Sequence, residues 1–463
     1  MSRLKKLLSI LLLATTLAAC APSTPPATST PAAPTETPLP PSSTPYATAT
    51  ITPTPLAGTL FVDPGNDLGP IEPDVYGANY GPWAAIPYNM LDAAFSSHVT
   101  VLRWPGGEWG DRNDIQILQL DTLMAILNKM KAIPTISVRL LGSTPAAAAA
   151  LVKYANIQKG YHIRYWSIGN EPNYYAAYSK QPYDTVRFNH DWRAMALAMK
   201  AVDPGIQLLG PEVDGYTSNL ASNPKDASGR DYMTEFLKVN GDLVDIVTVH
   251  RYPFPTDKSG TPVSVDTMRA NSAEWDQTIP YLRDLIHKTT GRDIPIGVTE
   301  INSYWSSQIA GPTTPDSFYS AIWYADVLGR LIKQRVSLVN YFLLANNTGG
   351  LGLISNTVLR PTYYVFQMYS HFGSEQVYAA SGIPNVSVYA AKRADGTLTL
   401  ILINLSDTRQ DVPLQVQGVA LSKAETWLFD ATHNAVDIGS TDLSGAKLSL
   451  PSQSISLFEL AGK

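Results

Sequence analysis

The sequence predicts an α/β protein made of a (β/α)8 TIM barrel followed by a C-terminal β-sandwich domain. Eight short apolar runs rich in β-branched residues alternate with helical patterns, which is typical of βα units around a parallel sheet. No Gly-rich phosphate-binding turn follows the first run, whereas an open doubly wound sheet often carries one there. After residue 373 the helical patterns give way to short alternating strands with polar turns, as in a sandwich.

The eight predicted barrel strands share an apolar, β-rich composition and end close to polar residues. They are Asp74–Tyr80, Thr100–Trp104, Ile133–Arg139, Ile163–Ile168, Ile206–Leu209, Asp245–Val249, Ile294–Val298 and Val336–Leu343. The helical patterns that separate and follow them are Met90–Ser97, Ile117–Lys131, Pro145–Gln158, Asp184–Val202, Asp231–Val239, Val265–Thr289, Asp316–Lys333 and Pro361–Phe372. We therefore assign residues 73–372 to the barrel.

Residues 373–463 are assigned to the sandwich. Its predicted strands are Val386–Ala391, Thr397–Asn404, Asp411–Val416, Glu425–Phe429 and Lys447–Leu450. Residues 58–72 precede the barrel, and their apolar run Gly58–Val62 can add a strand to the same sandwich.

The N-terminus has the features of an export signal. Two lysines precede the apolar run Leu7–Ala19, which is too short to span a bilayer comfortably. The ending Leu17-Ala18-Ala19-Cys20 resembles a bacterial lipobox, which implies a lipoprotein signal peptide over residues 1–19 and lipidation at Cys20. The alternative is an ordinary signal peptide with a chance cysteine.

A linker is predicted over residues 20–57, because they are almost entirely Pro, Thr, Ser and Ala and cannot bury enough apolar surface to fold. The expected location is extracellular, with the protein held at the cell membrane by the lipid anchor. Cys20 is the only cysteine, so an intramolecular disulfide is excluded.

Composition narrows the range of partners. A net charge of −5 provides no basic footprint, so nucleic acid is not an expected partner. The 24 tyrosines and 9 tryptophans suit carbohydrate surfaces as well as a filled core. We expect no cofactor and no metal, and the sequence leaves the oligomeric state open.

Two glutamates follow strands on opposite sides of the predicted barrel. Glu171 lies in YWSIGNEPN, just past the fourth strand, and Glu300 lies in GVTEIN at the end of the seventh. Barrel enzymes place their active sites at this end of the strands. Glycoside hydrolysis needs one carboxyl group to protonate the leaving oxygen and a second to attack the anomeric carbon or activate water. For an isolated Asn-Glu pair, a helix cap would be the simpler interpretation.

Four motifs carry a resemblance to known enzymes. WSIGNEPN, HRY at 250–252 and TEIN at 299–302 resemble clan A of the glycoside hydrolases. LRWPGG at 102–107 resembles the family 51 arabinofuranosidases, whereas NEPN and TE-x-N resemble the family 39 xylosidases and family 79 glucuronidases. The resemblance implies a retaining mechanism with Glu171 as acid/base and Glu300 as nucleophile, and it implies that Asn170 binds the sugar hydroxyl beside the anomeric carbon.

The resemblance also implies supporting roles for neighbouring residues. Tyr252 would donate to Glu300, His250 would line the floor of the site, and Arg103 would pair with Glu300. The structural alternatives are a core histidine for His250 and a structural ion pair for Arg103.

Three further residues are considered near the mouth of the predicted barrel. Trp104 and Glu108 flank the Pro-Gly-Gly turn and are candidate substrate contacts, although family 51 enzymes usually carry an amide at the position of Glu108. Glu212, after the fifth strand, is a third acid that we interpret as either a subsite or a structural residue.

The function expected from the sequence is a lipid-anchored retaining glycoside hydrolase acting on extracellular oligo- or polysaccharide, with hemicellulose-type xylosides or arabinofuranosides favoured. The alternative is a catalytically inactive, surface carbohydrate-binding lipoprotein. An importer receptor would instead predict two similar α/β lobes joined by a hinge.

Overall fold

The computed structural model describes residues 57–254, 261–306 and 311–461. The predicted signal peptide, Cys20 and the predicted linker as far as residue 56 lie outside the described residues. Within the described ranges, no helix combines the length and the apolar character needed to cross a membrane.

The predicted barrel is confirmed. After a first strand, β1 (Leu60–Pro70), that lies outside it, eight parallel strands close into a barrel in chain order, with the last hydrogen-bonded to the first. They are β2 (Gly77–Asn79), β3 (Val101–Trp104), β4 (Ile133–Val138), β5 (Tyr165–Ile168), β6 (Gln207–Asp214), β7 (Ile246–Arg251), β8 (Ile296–Ile301) and β9 (Leu338–Tyr341). Each overlaps one predicted strand, because a strand buried on both faces is a short apolar run.

The side chains inside the barrel differ in polarity from one level of the strands to the next. Side chains alternate along a strand, so residues two apart share a face. Val101, Tyr165, Leu209, Ile246 and Leu338 form a small apolar cluster of their own. Two positions further along their strands stand polar side chains, including Arg103, Ser167 and Thr248, all fully buried. We infer that the barrel interior is apolar at its base and polar near the C-terminal ends of the strands.

Helices surround the barrel, and several begin at a side-chain cap that the sequence provides. They are α1 (Leu91–Phe95), α2 (Trp109–Arg112), α3 (Ile117–Met130), α4 (Pro145–Val152), α5 (Tyr175–Ser179), α6 (Thr185–Val202), α7 (Tyr232–Asn240), α8 (Val265–Asn271), α9 (Trp275–Thr290), α10 (Phe318–Lys333) and α11 (Pro361–Ser370). Asp184, Asp231 and Ser317, for example, accept from backbone N–H groups in the first turns of α6, α7 and α10.

Two predicted helices differ in the structure. The pattern at 145–158 becomes α4 followed by a π-helical turn, Lys153–Gln158. The pattern at 265–289 divides into α8 and α9 with a short 3₁₀ turn, Ser272–Glu274, between them. Ser272 is buried there and its hydroxyl donates to Asp326 on α10. This contact holds the turn against α10.

The C-terminal strands form one nine-stranded sheet that includes β1. A small three-stranded sheet, β10 (Ala345–Asn346), β11 (Ile354–Ser355) and β12 (Val358–Leu359), precedes α11. The large sheet then adds β13 (Glu375–Ser381), β14 (Val386–Lys392), β15 (Leu398–Asn404), β16 (Gln410–Val416), β17 (Lys423–Phe429), β18 (Val436–Asp442), β19 (Lys447–Leu450) and β20 (Ser454–Leu460). Its strand order is β18-β17-β20-β15-β14-β13-β1-β16-β19.

This sheet packs in the two-layer manner of a sandwich. Ala424 near one end of the strand order and Leu448 at the other contribute to the same apolar core, so the sheet folds over on itself. The run at residues 58–62 does join it, since Leu60 pairs with Ser381 on β13 and with Leu414 on β16. Strands β13, β18 and β20 are additional to those predicted.

The sheet and the barrel share a buried interface. On β15, Leu400 and Leu402 enter the core of the sheet, whereas Ile401 and Ile403 on the opposite face join the core of the barrel. At the same interface, Gly329 on α10 leaves room for the ring of Tyr389, which an added Cβ would approach within 2.3 Å. The interface therefore ties the position of α10 to the sheet.

Candidate active site

The candidate site lies at the C-terminal ends of the barrel strands. Glu171 follows β5 and has a left-handed backbone with φ of 50°, and Glu300 lies near the end of β8. One carboxylate oxygen of each glutamate and one ring nitrogen of His250 all lie within 4.8 Å of one another. Two glutamates 129 positions apart in sequence thus face each other across one cleft.

Glu300 is surrounded by hydrogen-bond donors. Arg103 Nη1 donates to its Oε1 at 2.6 Å, and the backbone N–H of Gly107 donates to the same oxygen at 2.7 Å. Tyr252 Oη donates to Oε2 at 2.7 Å. Gly107 has φ of +66° and an added Cβ would lie 3.3 Å from the ring of Phe342, so a side chain would crowd this approach. These donors fix the orientation of the Glu300 carboxylate.

Glu171 is held differently. Its side chain is 13% exposed, and Oε1 lies 3.0 Å from His250 Nδ1. Burial raises the pKa of Glu171 to about 7, and the charge of Glu300 adds to the rise while His250 opposes it. A carboxyl group with this pKa is suited to proton transfer near neutral pH.

A third carboxylate, Glu212, lies beneath the pair and is fully buried. His250 Nε2 lies 2.7 Å from Glu212 Oε2, and the hydroxyls of Ser167 and Thr299 donate to the same carboxylate. Burial raises the pKa of Glu212, but Arg103 and His250 outweigh it and bring the pKa down to about 2. Of the two interpretations left open by the sequence, these contacts favour the structural one.

His250 bridges two of the three glutamates. Burial lowers its pKa, but the charge of Glu300 and the hydrogen bonds to Glu171 and Glu212 outweigh burial and raise the pKa to about 10. The imidazolium then donates from both ring nitrogens. With Glu171 protonated, the cations Arg103 and His250 balance the anions Glu212 and Glu300, so this buried cluster is close to neutral.

Asn170 lies at the same barrel mouth, and its side-chain amide nitrogen has no hydrogen-bond partner among the described residues. Its Oδ1 accepts from Arg103 Nη2 at 2.9 Å, and its backbone N–H donates to Asp111 at 2.8 Å. That nitrogen, Nδ2, is buried. A buried amide donor without a partner costs free energy unless a ligand pairs with it.

The two predicted substrate contacts near the Pro-Gly-Gly turn lie elsewhere. Trp104 directly follows Arg103, so it faces the helices, where its side chain is 2% exposed within the barrel core. Its role as a substrate contact stays a prediction that this burial does not favour. Glu108 is 39% exposed and forms an ion pair with Arg112 on α2.

The structure also brings to the site residues that the sequence did not identify. Asn79 on β2 and Ser137 on β4 accept hydrogen bonds from the Arg103 guanidinium, and Asp111 on α2 accepts from Asn170. The sequence left open whether Tyr341 or Phe342 is the aromatic side chain at the end of the last barrel strand. Phe342, which follows β9, has its ring 6.1 Å from that of Tyr252 in an edge-on arrangement. Its neighbour Tyr341 is buried, so Phe342 is the aromatic side chain that β9 presents to the mouth.

Glu171, His250 and Glu300 offer atoms of the types that bind metals. Both ring nitrogens of His250 are already engaged with carboxylates, and the Arg103 guanidinium contacts Glu300 directly. A dication would meet the positive charge of these two groups, so the cluster does not fit a metal site well.

Comparison with known proteins identifies the family. The model of the glycosyl hydrolases family 39 matches residues 159–421, which is more than half of the chain. The chain belongs to glycosyl hydrolases family 39. No curated protein matches the sequence. The part of this family 39 chain covered by the match includes Glu171, His250, Tyr252 and Glu300, whereas Arg103 lies before it.

Solved structures of other glycosidases share the fold of this family 39 chain. CelM2, a bifunctional glucanase-xylanase from a metagenome library, is 18% identical with a TM-score of 0.68, over 88% of this chain and 99% of that one. The family 51 α-L-arabinofuranosidase from Thermotoga petrophila RKU-1 is 18% identical with a TM-score of 0.68, over 87% and 99%. A Paenibacillus polymyxa family 44 xyloglucanase is 16% identical with a TM-score of 0.67, over 88% and 99%. The resemblance to clan A is therefore confirmed.

Proposed function

We propose that this chain is a retaining glycosidase with Glu171 as the acid/base and Glu300 as the nucleophile. The observation that carries the proposal is the approach of the two carboxylates, with oxygens within 4.8 Å of each other. Retaining enzymes hold the two carboxyl groups about 5–5.5 Å apart, whereas inverting enzymes leave about 6.5–9.5 Å for a water molecule.

The surroundings of the two glutamates support different roles. Glu300, ion-paired with Arg103 and hydrogen-bonded by Gly107 and Tyr252, suits a nucleophile that must be ionised. Glu171, with a pKa raised to about 7 by burial, suits a group that holds a proton until the leaving group needs it. Two carboxyl groups in such different environments can divide the roles of acid and nucleophile.

The proposed reaction has two displacements. Glu300 attacks the anomeric carbon while Glu171 transfers its proton to the departing glycosidic oxygen, so the C–O bond to the leaving group breaks as the glycosyl-enzyme bond forms. Glu171, now ionised, then takes a proton from water as the water oxygen attacks the anomeric carbon and Glu300 is released. The unpaired Nδ2 of Asn170 would donate to the hydroxyl beside the anomeric carbon, a contact that tightens in the transition state.

We favour hemicellulose-type xylosides or arabinofuranosides as the substrates. The enzyme would act on them outside the cell. Membership of family 39 and the named activities of the structural neighbours, a glucanase-xylanase and an α-L-arabinofuranosidase, support this choice. Export and lipid anchoring at Cys20 are part of the proposal and rest on the N-terminal sequence alone.

The test is a panel of activated aryl glycosides carrying arabinofuranosyl, xylosyl, glucosyl, galactosyl or glucuronosyl groups. Wild type is compared with Glu171→Gln and Glu300→Gln, and each variant is checked for folding by circular dichroism. We expect one glycoside to be turned over by wild type and both substitutions to lower the rate by at least about 10³-fold. Azide should restore activity to the Glu171 variant alone, because a small nucleophile can replace the water that Glu171 activates.

A folded wild-type protein that turns over none of the aryl glycosides and digests no xylan or arabinan would refute the proposal. It would favour the alternative of a carbohydrate-binding protein without catalysis.

A further inference from the structure

A second pocket opens beside the candidate site, between the segments that follow β3, β4 and β5. Its volume is about 440 Å³, and three guanidinium groups line it, those of Arg112, Arg139 and Arg187. Tyr178 and Tyr183 provide aromatic walls. None of these residues takes part in the hydrogen-bond network around Glu300.

The pocket lies on the side of the cleft that carries Glu171. Tyr178 stands seven positions after Glu171 on the same connection, and its pKa is raised by burial first and then by the charges of Glu171 and Glu108. Asp111 lines the pocket and also accepts the backbone hydrogen bond of Asn170. A leaving group departs toward the acid that protonates it, so this is where the leaving-group part of a substrate would extend.

Positive charge dominates the lining of this pocket. The acids that pair with the three arginines, Glu108, Asp114 and Asp191, are not among its lining residues. Arg139 uses Nε for the carbonyl of Leu141 at 2.8 Å and Nη1 for Asp114 at 3.3 Å. Among the described residues, its Nη2 has no hydrogen-bond acceptor, so this guanidinium can donate to an incoming anion.

Asp111 is the one carboxylate among the described residues that line the pocket, and it is buried. Asp111 is 2% exposed, accepts from the hydroxyl of Tyr175 at 2.6 Å, and has its pKa raised to about 6 by burial. Half of the Asp111 carboxyls are protonated near that pH, so the repulsion of an anion in the pocket weakens as the pH falls below it.

Aromatic contacts keep the outer guanidiniums in place. The Arg112 guanidinium carbon lies 5.3 Å from the ring centre of Tyr178, and that of Arg187 lies 4.8 Å from the ring centre of Tyr183. Such cation–π contacts order long side chains before a ligand arrives. The guanidinium fork matches the geometry of a carboxylate.

We propose that this arginine pocket binds the carboxylate of an acidic sugar unit on the leaving-group side of the substrate, so that the enzyme prefers uronic-acid-containing glycans over neutral ones. The inference rests on the proposed function for the direction of the substrate, but binding in the pocket does not require turnover. The exposed part of the Tyr178 ring would pack against the sugar, as aromatic side chains do in carbohydrate sites.

The first measurement is direct binding by saturation-transfer NMR to the full-length chain, with methyl β-D-glucuronoside and methyl β-D-glucoside as probes. We expect the glucuronoside to bind about tenfold more tightly at low salt, with the preference shrinking as salt rises. Arg139→Met should abolish the preference. Arg187→Met, at a side chain that is 56% exposed, tests the same pocket with little risk to folding.

Arg193→Met is the matched control, because Arg193 pairs with Asp242 and does not line the pocket. It should keep the preference intact. Equal affinity for the two probes in wild type, or a preference that survives both pocket substitutions, would overturn the proposal. If the aryl glycosides are still cleaved in that case, the proposed function stands without the pocket. If the preference is found without turnover, the pocket stands and the catalytic proposal fails.

Discussion

The buried carboxylate Glu212 is the point at which the electrostatic account of the site can be tested most directly. Glu212→Gln keeps the size of the side chain and removes one negative charge from a cluster that is close to neutral. Its partners are the cations His250 at 2.7 Å and Arg103 at 3.7 Å, and all three side chains are fully buried. The substitution leaves these buried cations with one fewer counter-charge.

The expected loss of stability follows from that imbalance. Removing one partner of a buried ion pair typically costs about 3–5 kcal/mol, because the charge left behind cannot be solvated. We therefore expect the free energy of unfolding to fall by about 3–5 kcal/mol at pH 5.5. Part of this loss arises through His250, whose proton is no longer held by the Glu212 carboxylate.

The loss should depend on pH in a defined direction. In wild type the pKa of His250 is raised from 6.5 to about 10, so its stabilising effect is complete below pH 6.5 and disappears as the pH rises toward 10. The pKa of Glu212 is lowered from 4.5 to about 2, so its effect is complete above pH 4.5 and disappears as the pH falls toward 2. The difference between wild type and variant should be largest between pH 4.5 and 6.5.

Urea unfolding followed by tryptophan fluorescence at pH 5.5, 7.5 and 9.5 measures this difference. Above pH 6.5 it should shrink by up to about 1.4 kcal/mol for each pH unit, the value for one proton. Asp242→Asn is the control, because it breaks an exposed pair with Arg193 and should cost less than about 1 kcal/mol at every pH. A difference for Glu212→Gln that is constant from pH 5.5 to 9.5, or below 1 kcal/mol at pH 5.5, would refute the reasoning.

The remaining predictions concern three other contacts. Tyr252→Phe removes a hydrogen bond to ionised Glu300 and should lower kcat/KM on the aryl glycoside about 10- to 100-fold with the fold intact; unchanged kinetics would contradict this. Phe342→Ala removes the aromatic wall beside Tyr252 and should lower kcat/KM about tenfold or more, whereas an unaltered value would mean that the ring does not touch the sugar. Asp326→Ala removes the buried carboxylate on α10 that accepts from Tyr389 on β14 and pairs with Arg330, and it should cost about 3–5 kcal/mol in one cooperative urea transition; two separate transitions would show that barrel and sheet unfold independently.

The barrel strands were predictable because each is buried on both faces and therefore reads as a short apolar run between helical patterns. The two glutamates were predictable for a related reason, since Glu171 directly follows one such run and Glu300 lies at the end of another, and the C-terminal ends of the strands form the barrel mouth. Strand β18 was not predicted. Most of its residues are exposed, so the apolar alternation that marks a strand is missing.

The polar layer inside the barrel was harder to predict, although it leaves a trace in the sequence. Arg103, Ser137, Ser167 and Thr299 are polar residues inside largely apolar strands, each with its side chain buried. A polar residue at alternate positions of a buried strand indicates a polar lumen. Read with the correct phase, the same pattern would have placed Trp104 on the opposite face from Arg103.

The sequence by itself determined the kind of fold, the clan of glycoside hydrolases and the positions of the two carboxylates, because these depend on local composition, alternation and short motifs. Only the tertiary structure decided which charged side chains of the site pair with one another. Glu212, His250 and Arg103 come from strands far apart in the chain. The charges of His250 and Arg103 on Glu212, and of His250 on Glu171, act over distances of a few ångströms in a buried site. The energy of interaction between charged groups falls with the distance between them and rises with their burial. Neither the distances nor the burial can be obtained from the sequence alone.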